Sequence, residues 1–223
     1  MTVLLVLFTF GLCLLIDHFR TRRAVAEPAL EIAANPETRP RLQPAVVAGF
    51  EVPANLRYHP GHSWALQESP GLVRVGMDDF ASKLTGTADH IALPQRGQWI
   101  RQGQKLCTVH RSGGAVEMVS PIEGTVADIN EAVTQNAEVA FSDPYGEGWL
   151  VTVQAPDAKI NFRNLLGGAL ARWWMEEAAT RLQRRMPMAI GALAQDGGVA
   201  MNNMSIHIPD QEWMPLAKEF FLS

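Results

Sequence analysis

The chain has 223 residues, a net charge of −4 and a pI near 5.9. This length accommodates one good-sized domain with appendages, or at most two small domains. The acidic balance offers no basic field for nucleic acid, so we exclude a nucleic-acid-binding function. Charged residues make up 19% of the chain, against about 25% in typical soluble proteins, and hydrophobic residues reach 47%, which favours buried interfaces or a membrane segment.

Residues 2–16 form an apolar run without a charge, rich in Leu, Val and Phe, and Arg20, Arg22 and Arg23 follow soon after it. We predict a single-pass transmembrane anchor over residues 1–19. A helix over the run spans about 24 Å, less than the ~30 Å hydrocarbon core, so packing against other membrane helices would compensate. Because positive charge follows the helix, the amino terminus is expected outside and the soluble part on the cytoplasmic side of the inner membrane.

Two alternatives to an anchor stay open for this segment. One is a signal peptide cleaved near Ala24–Ala26, which has the small residues of a cleavage site. It is disfavoured because no Lys or Arg precedes the apolar run, whereas arginines stand between the run and that site. The other alternative is a buried core helix.

Proline recurs through residues 20–54 and predicts a semi-rigid linker that lies along a partner or holds the domain off the membrane. The globular domain is expected over residues 55–182, and a Met-rich docking extension over residues 183–223. The two cysteines lie in the apolar run (Cys13) and in a predicted strand (Cys107), so we predict no disulfide framework and a reducing compartment.

Short alternating runs with turn residues between them fill the globular part and indicate an all-β sandwich or barrel. The predicted strands lie within residues 58–66, 71–76, 91–93, 105–109, 115–119, 124–129 and 149–153, with a further one at 205–208. Helices are predicted over residues 78–86, from 164 to 186, and from 209 to 220.

The stretch Leu106–Pro121 contains two strand-like runs that flank Ser112, Gly113 and Gly114. Paired glycines accommodate the positive φ values of a tight hairpin turn, so this stretch predicts an exposed β-hairpin. Four further motifs accompany it. They are Leu93–Gly97, Arg101–Gly103, Ser120–Val126 and the eight residues Ser142–Trp149, Ser-Asp-Pro-Tyr-Gly-Glu-Gly-Trp.

This set of motifs resembles the H-protein of the glycine cleavage system, over roughly residues 55–180. The resemblance implies a mainly β fold, a barrel-sandwich hybrid of two small sheets with short helices and a helix at the end. It also implies a lipoyl-lysine at the tip of the hairpin, eight residues before the proline of the Ser-Pro step. In this chain that position is Gly113, and Ser112 and Gly114 beside it are not lysine either.

A lipoyl carrier needs an exposed amine at the hairpin tip, and the four lysines of the chain lie elsewhere, at Lys83, Lys105, Lys159 and Lys218. We therefore expect no lipoyl group, and no other cofactor. No Walker or dinucleotide-binding glycine motif is present.

Four histidines invite a test for metal binding or catalysis. His59 and His62 lie in a turn-rich segment, and His90 and His110 lie elsewhere. A zinc or iron site needs three or four converging ligands, so we interpret them as surface or capping residues and expect no metal site. Asp89 next to His90 suggests a catalytic dyad, but no nucleophile motif accompanies it, so we expect no catalytic residues.

Trp173 and Trp174 lie near arginines in the predicted helix 164–186. They indicate either a face that contacts a membrane or a partner, or a helix that packs Leu166, Leu170 and Trp173 on the barrel with Trp174 partly exposed. The apolar extension beyond residue 183 is expected to dock on the domain or on another subunit.

These features together predict a non-catalytic accessory subunit of a bacterial membrane protein complex. Its degenerate H-protein-like domain would serve as a docking module on the cytoplasmic side, and its helix and extension would contact other subunits and the lipid bilayer. A respiratory or photosynthetic electron-transport complex is our hypothesis for the host. The alternative is a membrane-tethered degenerate carrier that docks on glycine-cleavage or lipoate-handling enzymes as a decoy or regulator. A membrane-linked hydrolase using Asp89 and His90 is a third, weaker hypothesis.

Overall fold

Eleven short strands, all paired antiparallel, build the part of the chain that the computed structural model describes, residues 45–111, 114–185 and 200–222. The predicted anchor, residues 20–44 of the linker, Ser112, Gly113 and the Met-rich residues 186–199 lie outside the described residues. The strands are β1 (Ala45–Val47), β2 (Phe50–Val52), β3 (Arg57–His59), β4 (Ser63–Ser69), β5 (Leu72–Met77), β6 (His90–Ala92), β7 (Trp99–Ile100), β8 (Lys105–Arg111), β9 (Gly114–Val119), β10 (Gly124–Ile129) and β11 (Val151–Gln154).

The strands form two sheets and a separate hairpin. The larger sheet has the order β3-β4-β5-β11-β10-β7, the smaller has the order β6-β8-β9, and β1 pairs with β2. Alternate residues of both sheets point into one core, in which Trp64, Phe80 and Met118 are almost completely buried. The prediction of a mainly β domain with two small sheets is confirmed.

Six α-helices and one 3₁₀ helix are described besides the strands. The α-helices are α1 (Asp79–Thr85), α2 (Glu131–Gln135), α3 (Glu138–Ser142), α4 (Ala158–Arg163), α5 (Gly168–Arg185) and α6 (Asp210–Phe221). Helix α1 lies where acidic first-turn residues and a final glycine predict it. The Asp78 carboxylate accepts a hydrogen bond from the Ala81 N–H as its N-cap, and Gly86 ends it with φ 77°.

The folded unit begins earlier than residue 55. Strands β1 and β2 lie within the stretch that proline content predicts to be linker, and Phe50 and Val52 of β2 are buried in the core. Their apolar side chains pack against the domain, and the proline pattern of the stretch gave no sign of this. The described chain therefore enters the domain through a packed hairpin rather than through a spacer.

Helix α5 packs against β1 and β2, through a different face from the one that the barrel-packing alternative predicted. Trp174 is buried and lies 6.2 Å from the ring of Tyr58, whereas Leu170 and Trp173 are exposed. The expectation that Leu170 and Trp173 pack on the barrel is wrong. The helix begins only at Gly168, and Ala171, Trp174, Met175 and Ala178 form its buried stripe.

The end of the chain folds back on the domain. Residues 204–207 form a 3₁₀ helix, Met204–His207, and not the strand that the sequence suggested. Met204 and Ser205 are both buried while the next two residues are exposed, so the segment lacks the alternation of a strand. Helix α6 follows, as predicted.

No helix among the residues that the structure describes is long and apolar enough to cross a membrane.

Candidate functional site

The hairpin of β8 and β9 is the site that the sequence singles out. The two strands stay paired up to Arg111 and Gly114, so two residues connect them. Gly114 has φ 134°, a value that a residue with a side chain rarely adopts. Those two connecting residues, Ser112 and Gly113, lie outside the described residues, and the expectation about Gly113 stays a prediction.

Helix α6 packs along β9, which is an edge strand of the smaller sheet. At the turn end, the Met214 sulfur lies 2.9 Å from where a Cβ on Gly114 would stand. At the other end, the Phe221 carbonyl oxygen lies 2.9 Å from where a Cβ on Gly61 would stand, beside the Val119 side chain. The helix thus covers the side of β9 that an unprotected edge strand would leave open.

Side chains of α6 also contact the last residue of β8. The Arg111 guanidinium lies 5.1 Å from the centre of the Trp213 ring, within the range of a cation–π interaction. Trp213 is itself buried, together with Phe220 and Phe221. The described part of the extension therefore docks in cis on the hairpin sheet, which the sequence had left undecided between this domain and another subunit.

A shallow groove of about 290 Å³ separates the outer face of β8 and β9 from α6. Its walls include Thr108 and Glu117 from the sheet and Met214 and Lys218 from the helix. Glu117 forms an exposed ion pair with Lys105, with 2.6 Å between Nζ and Oε1. The groove is open and mixed in character, and it is small for a ligand pocket.

None of the four lysines lies in the turn of the hairpin. Lys105 is at the far end of β8, and Lys159 and Lys218 are exposed on helices. Lys83 is buried, where its Nζ donates to Asp79 Oδ2 at 2.6 Å and to the Gly49 carbonyl at 3.2 Å. Burial is the main reason why the pKa of Asp79 is raised above its ordinary value, although Lys83 opposes that shift.

His62 is fully buried. The expectation that it is a surface or capping residue is therefore wrong. Its Nδ1 lies 2.8 Å from Oδ2 of Asp78, and its ring stacks on Phe80 with centroids 4.0 Å apart. The ring of Trp174 closes the other side at 4.6 Å. Within the described residues Nε2 has no hydrogen-bond partner. This arrangement joins β4, α1 and α5, and it is structural in character.

The other histidines do not converge. His90 and His110 are cross-strand neighbours whose rings stack 4.1 Å apart. Asp89 contacts this pair through its backbone N–H, which donates to the His110 carbonyl oxygen at 2.8 Å. Within residues 45–111, 114–185 and 200–222, no group of three or more His, Cys, Asp or Glu side chains is arranged to hold a metal ion.

The Ser142–Trp149 motif builds a turn that holds the domain together. The Asp143 carboxylate accepts hydrogen bonds from the N–H groups of Gly146 and Glu147, which closes the turn. From this turn, the Pro144 carbonyl accepts a hydrogen bond from Trp64 Nε1 at 3.0 Å, and Tyr145 Oη donates to the Glu51 carbonyl at 2.7 Å. The motif therefore fixes β2 and β4, and its role in this chain is architectural.

Comparison with known proteins gives one consistent result. The family model described as "Glycine cleavage H-protein" matches residues 56–176. The chain is 32% identical over 128 residues to the glycine cleavage system H protein of Anaeromyxobacter sp. (strain K). The aligned region covers 57% of this chain and 98% of that protein. It is 36% identical over 107 residues to the protein of the same name from Xanthomonas euvesicatoria pv. vesicatoria, covering 48% of this chain and 82% of that protein.

Among solved structures, a glycine cleavage system H protein from Mycobacterium marinum matches with a TM-score of 0.44 and 27% identity. The match covers 47% of this chain and 86% of that one.

Proposed function

Because this chain belongs to the glycine cleavage H-protein family, a family of non-catalytic lipoyl carriers, we propose that its domain is a docking module that carries no lipoyl group. The proposal rests on two features of the β8–β9 hairpin. No lysine occurs between Leu106 and Pro121, and helix α6 packs along the strand that follows the turn. A carrier needs an amine at this place that is free to move between partners.

The retained parts of the fold support a binding role. The Ser142–Trp149 turn, the α1 cap and the hairpin sheet are all intact, so the domain keeps a rigid surface although the acceptor residue is absent. In the proposed function the chain is an accessory subunit of a bacterial membrane protein complex, attached by the apolar run 2–16, and the domain contacts the other subunits.

Incubation with a lipoate-attaching enzyme, followed by intact-mass measurement, tests whether the chain accepts a lipoyl group. The natural chain is expected to keep its unmodified mass. The variant Gly113→Lys, which places a lysine at the position of the family's acceptor, serves as the matched control for recognition of the hairpin. A lipoyl mass increment on any of the four natural lysines would contradict the proposal.

A second function is favoured by the similarity itself. The chain covers 98% of a relative named as a glycine cleavage system H protein, which supports the retention of a surface that docks on that system's enzymes. In this case the protein acts as a decoy or regulator of glycine-cleavage or lipoate-handling enzymes. It would then compete with an authentic H protein for those enzymes, whereas a subunit of an unrelated membrane complex would not. A competition assay with purified enzymes separates the two.

A further inference from the structure

One side of helix α5 carries large apolar side chains that are exposed. Leu170 is 53% exposed and Trp173 is 61% exposed, and because they are three positions apart they lie on the same side of the helix. The opposite side, with Met175 and Ala178, is buried against the domain. The packing of the described residues therefore does not use Leu170 and Trp173. An exposed tryptophan in the middle of a helix face is typical of a protein contact.

Charged side chains border this apolar pair in a fixed order along the helix. Arg172 precedes Trp173, whereas Glu176 and Glu177 follow it. All three charged side chains are exposed, and none of them forms an ion pair within the part of the chain that the structure describes. Arg172 and Glu176 are four positions apart, so they lie on one edge of the apolar stripe. Glu177 lies on the other edge, as Leu170 does. The face thus has a positive end, an apolar centre and a negative end.

Such a face is complementary to a second copy of itself when the two helices run antiparallel. A two-fold axis at the level of position 174 brings position 172 of one copy level with position 176 of the other. The same axis keeps each edge of the stripe beside the identical edge of the other copy, so Arg172 of each copy lies beside Glu176 of the other. Trp173 of each copy stands about 1.5 Å from the axis along the helix, so the two rings meet. A parallel pair would instead place like charges side by side.

We propose that two copies of this chain associate through α5, as an antiparallel pair with Trp173 at its centre and Arg172 of each copy beside Glu176 of the other. Leu170 of each copy then packs on the methylene groups of Glu177 of the other copy, whose carboxylate stays at the rim. A single helix face is smaller than the roughly 800 Å² per partner of a standard interface, so the dimer is expected to be reversible. The inference does not depend on the proposed function, because it uses only described residues of α5.

Exchange of the two charges tests this arrangement in the full chain, purified in a mild detergent. Sedimentation equilibrium in density-matched detergent gives the dissociation constant of each form. Arg172→Glu and Glu176→Arg each set like charges against each other at both contacts, whereas an equimolar mixture of these two variants restores opposite charges at both. Trp173→Ala removes the central contact. Trp99→Ala, which changes a tryptophan on β7 that is 51% exposed, is the matched control.

We expect the natural chain and Trp99→Ala to dimerise equally. Trp173→Ala should raise the dissociation constant at least about thirtyfold, because a central aromatic anchor is lost. Each charge variant alone should raise it at least about tenfold, and the mixture should dimerise like the natural chain.

A natural chain that stays monomeric at all concentrations would overturn the inference. A dimer that is insensitive to Trp173→Ala or to the single charge variants, or that Trp99→Ala weakens as much, uses another surface and would also overturn it. Loss of the dimer in both charge variants without recovery in their mixture would show that this face does not pair antiparallel with itself, and the inference would fail.

Discussion

The thiol of Cys107 lies inside the smaller sheet, and burial raises its pKa from an ordinary value of 9.0 to about 12. The reactive thiolate is therefore scarce at neutral pH, and the sulfur is covered as well. Because the pKa of Cys107 is higher in the folded than in the unfolded protein, the folding stability depends on pH. The contribution of the protonated thiol to stability is complete below the pKa of the unfolded state and is lost as the pH rises towards about 12.

We predict that Cys107 resists alkylation in the folded protein at pH 8. The measurement is the rate of iodoacetamide labelling by mass spectrometry in a Cys13→Ser background, which leaves one cysteine. The same sample unfolded in urea should label rapidly and serves as the control. Complete labelling of the folded protein at the unfolded rate would show that the strand is not packed as described.

Asp78 holds two buried groups at once, the His62 ring and the first turn of α1. Removing one partner of a buried pair leaves the other unpaired, so Asp78→Ala should lower the free energy of unfolding by about 3–5 kcal/mol. Glu117→Ala breaks an exposed ion pair with Lys105 and should cost only about 0–1 kcal/mol. Urea denaturation of both variants gives the comparison, and equal effects would contradict a structural role for the buried pair.

At the scale of elements, the contribution of α6 to stability shows whether the C-terminal extension is part of this domain. Trp213 is buried between the helix and the hairpin sheet, so Trp213→Ala should destabilise the whole domain by about 3–5 kcal/mol in one cooperative transition. Glu212→Ala changes the neighbouring exposed residue and should stay within about 0.5 kcal/mol. If α6 docks only on a partner, the tryptophan variant of the isolated protein will unfold like the natural one.

The turn between β1 and β2 also packs against Ala200, which lies near the C-terminal end of the chain. Gly49 has φ 88°, and a Cβ there would stand 2.7 Å from the backbone nitrogen of Ala200. Gly97 has a similar φ of 82° with open space around it, so Gly97→Ala should cost about 1–2 kcal/mol from backbone strain alone.

Gly49→Ala should cost more than Gly97→Ala, because it adds about 1–3 kcal/mol of overpacking to the same backbone strain. Thermal unfolding of the two variants measures the difference. Equal destabilisation would mean that residues around Ala200 do not pack on this turn.

At the scale of the whole molecule, the sequence was sufficient to predict a mainly β domain and the pairing of β8 with β9, whereas the two sheets were implied by the family resemblance and β1, β2 and β7 were not predicted. Alternation of apolar residues and turn residues marks most strands, and the Ser142–Trp149 motif is long enough to be specific. The helix α1 was predictable because Asp78 and Gly86 are local signals that bound it.

Other features depend on contacts between distant residues, which no local pattern reports. The burial of Trp174 in place of Trp173 is fixed by the start of α5 at Gly168 and by the rings of Tyr58 and His62. The burial of His62 likewise depends on Asp78, sixteen positions away. The docking of α6 on β9 follows from the shape of the sheet edge, so its apolar stripe alone could not identify its partner.

The central claim is that this H-protein-family domain is a docking module that carries no lipoyl group. The most direct measurement is mild-detergent extraction of the tagged protein from its native membranes, with mass spectrometry of the intact chain and of the proteins that co-purify. Our account predicts an unmodified chain that returns with membrane-complex subunits. A chain carrying a lipoyl increment, or one that is recovered from membranes as a stable monomer without a partner, would contradict it.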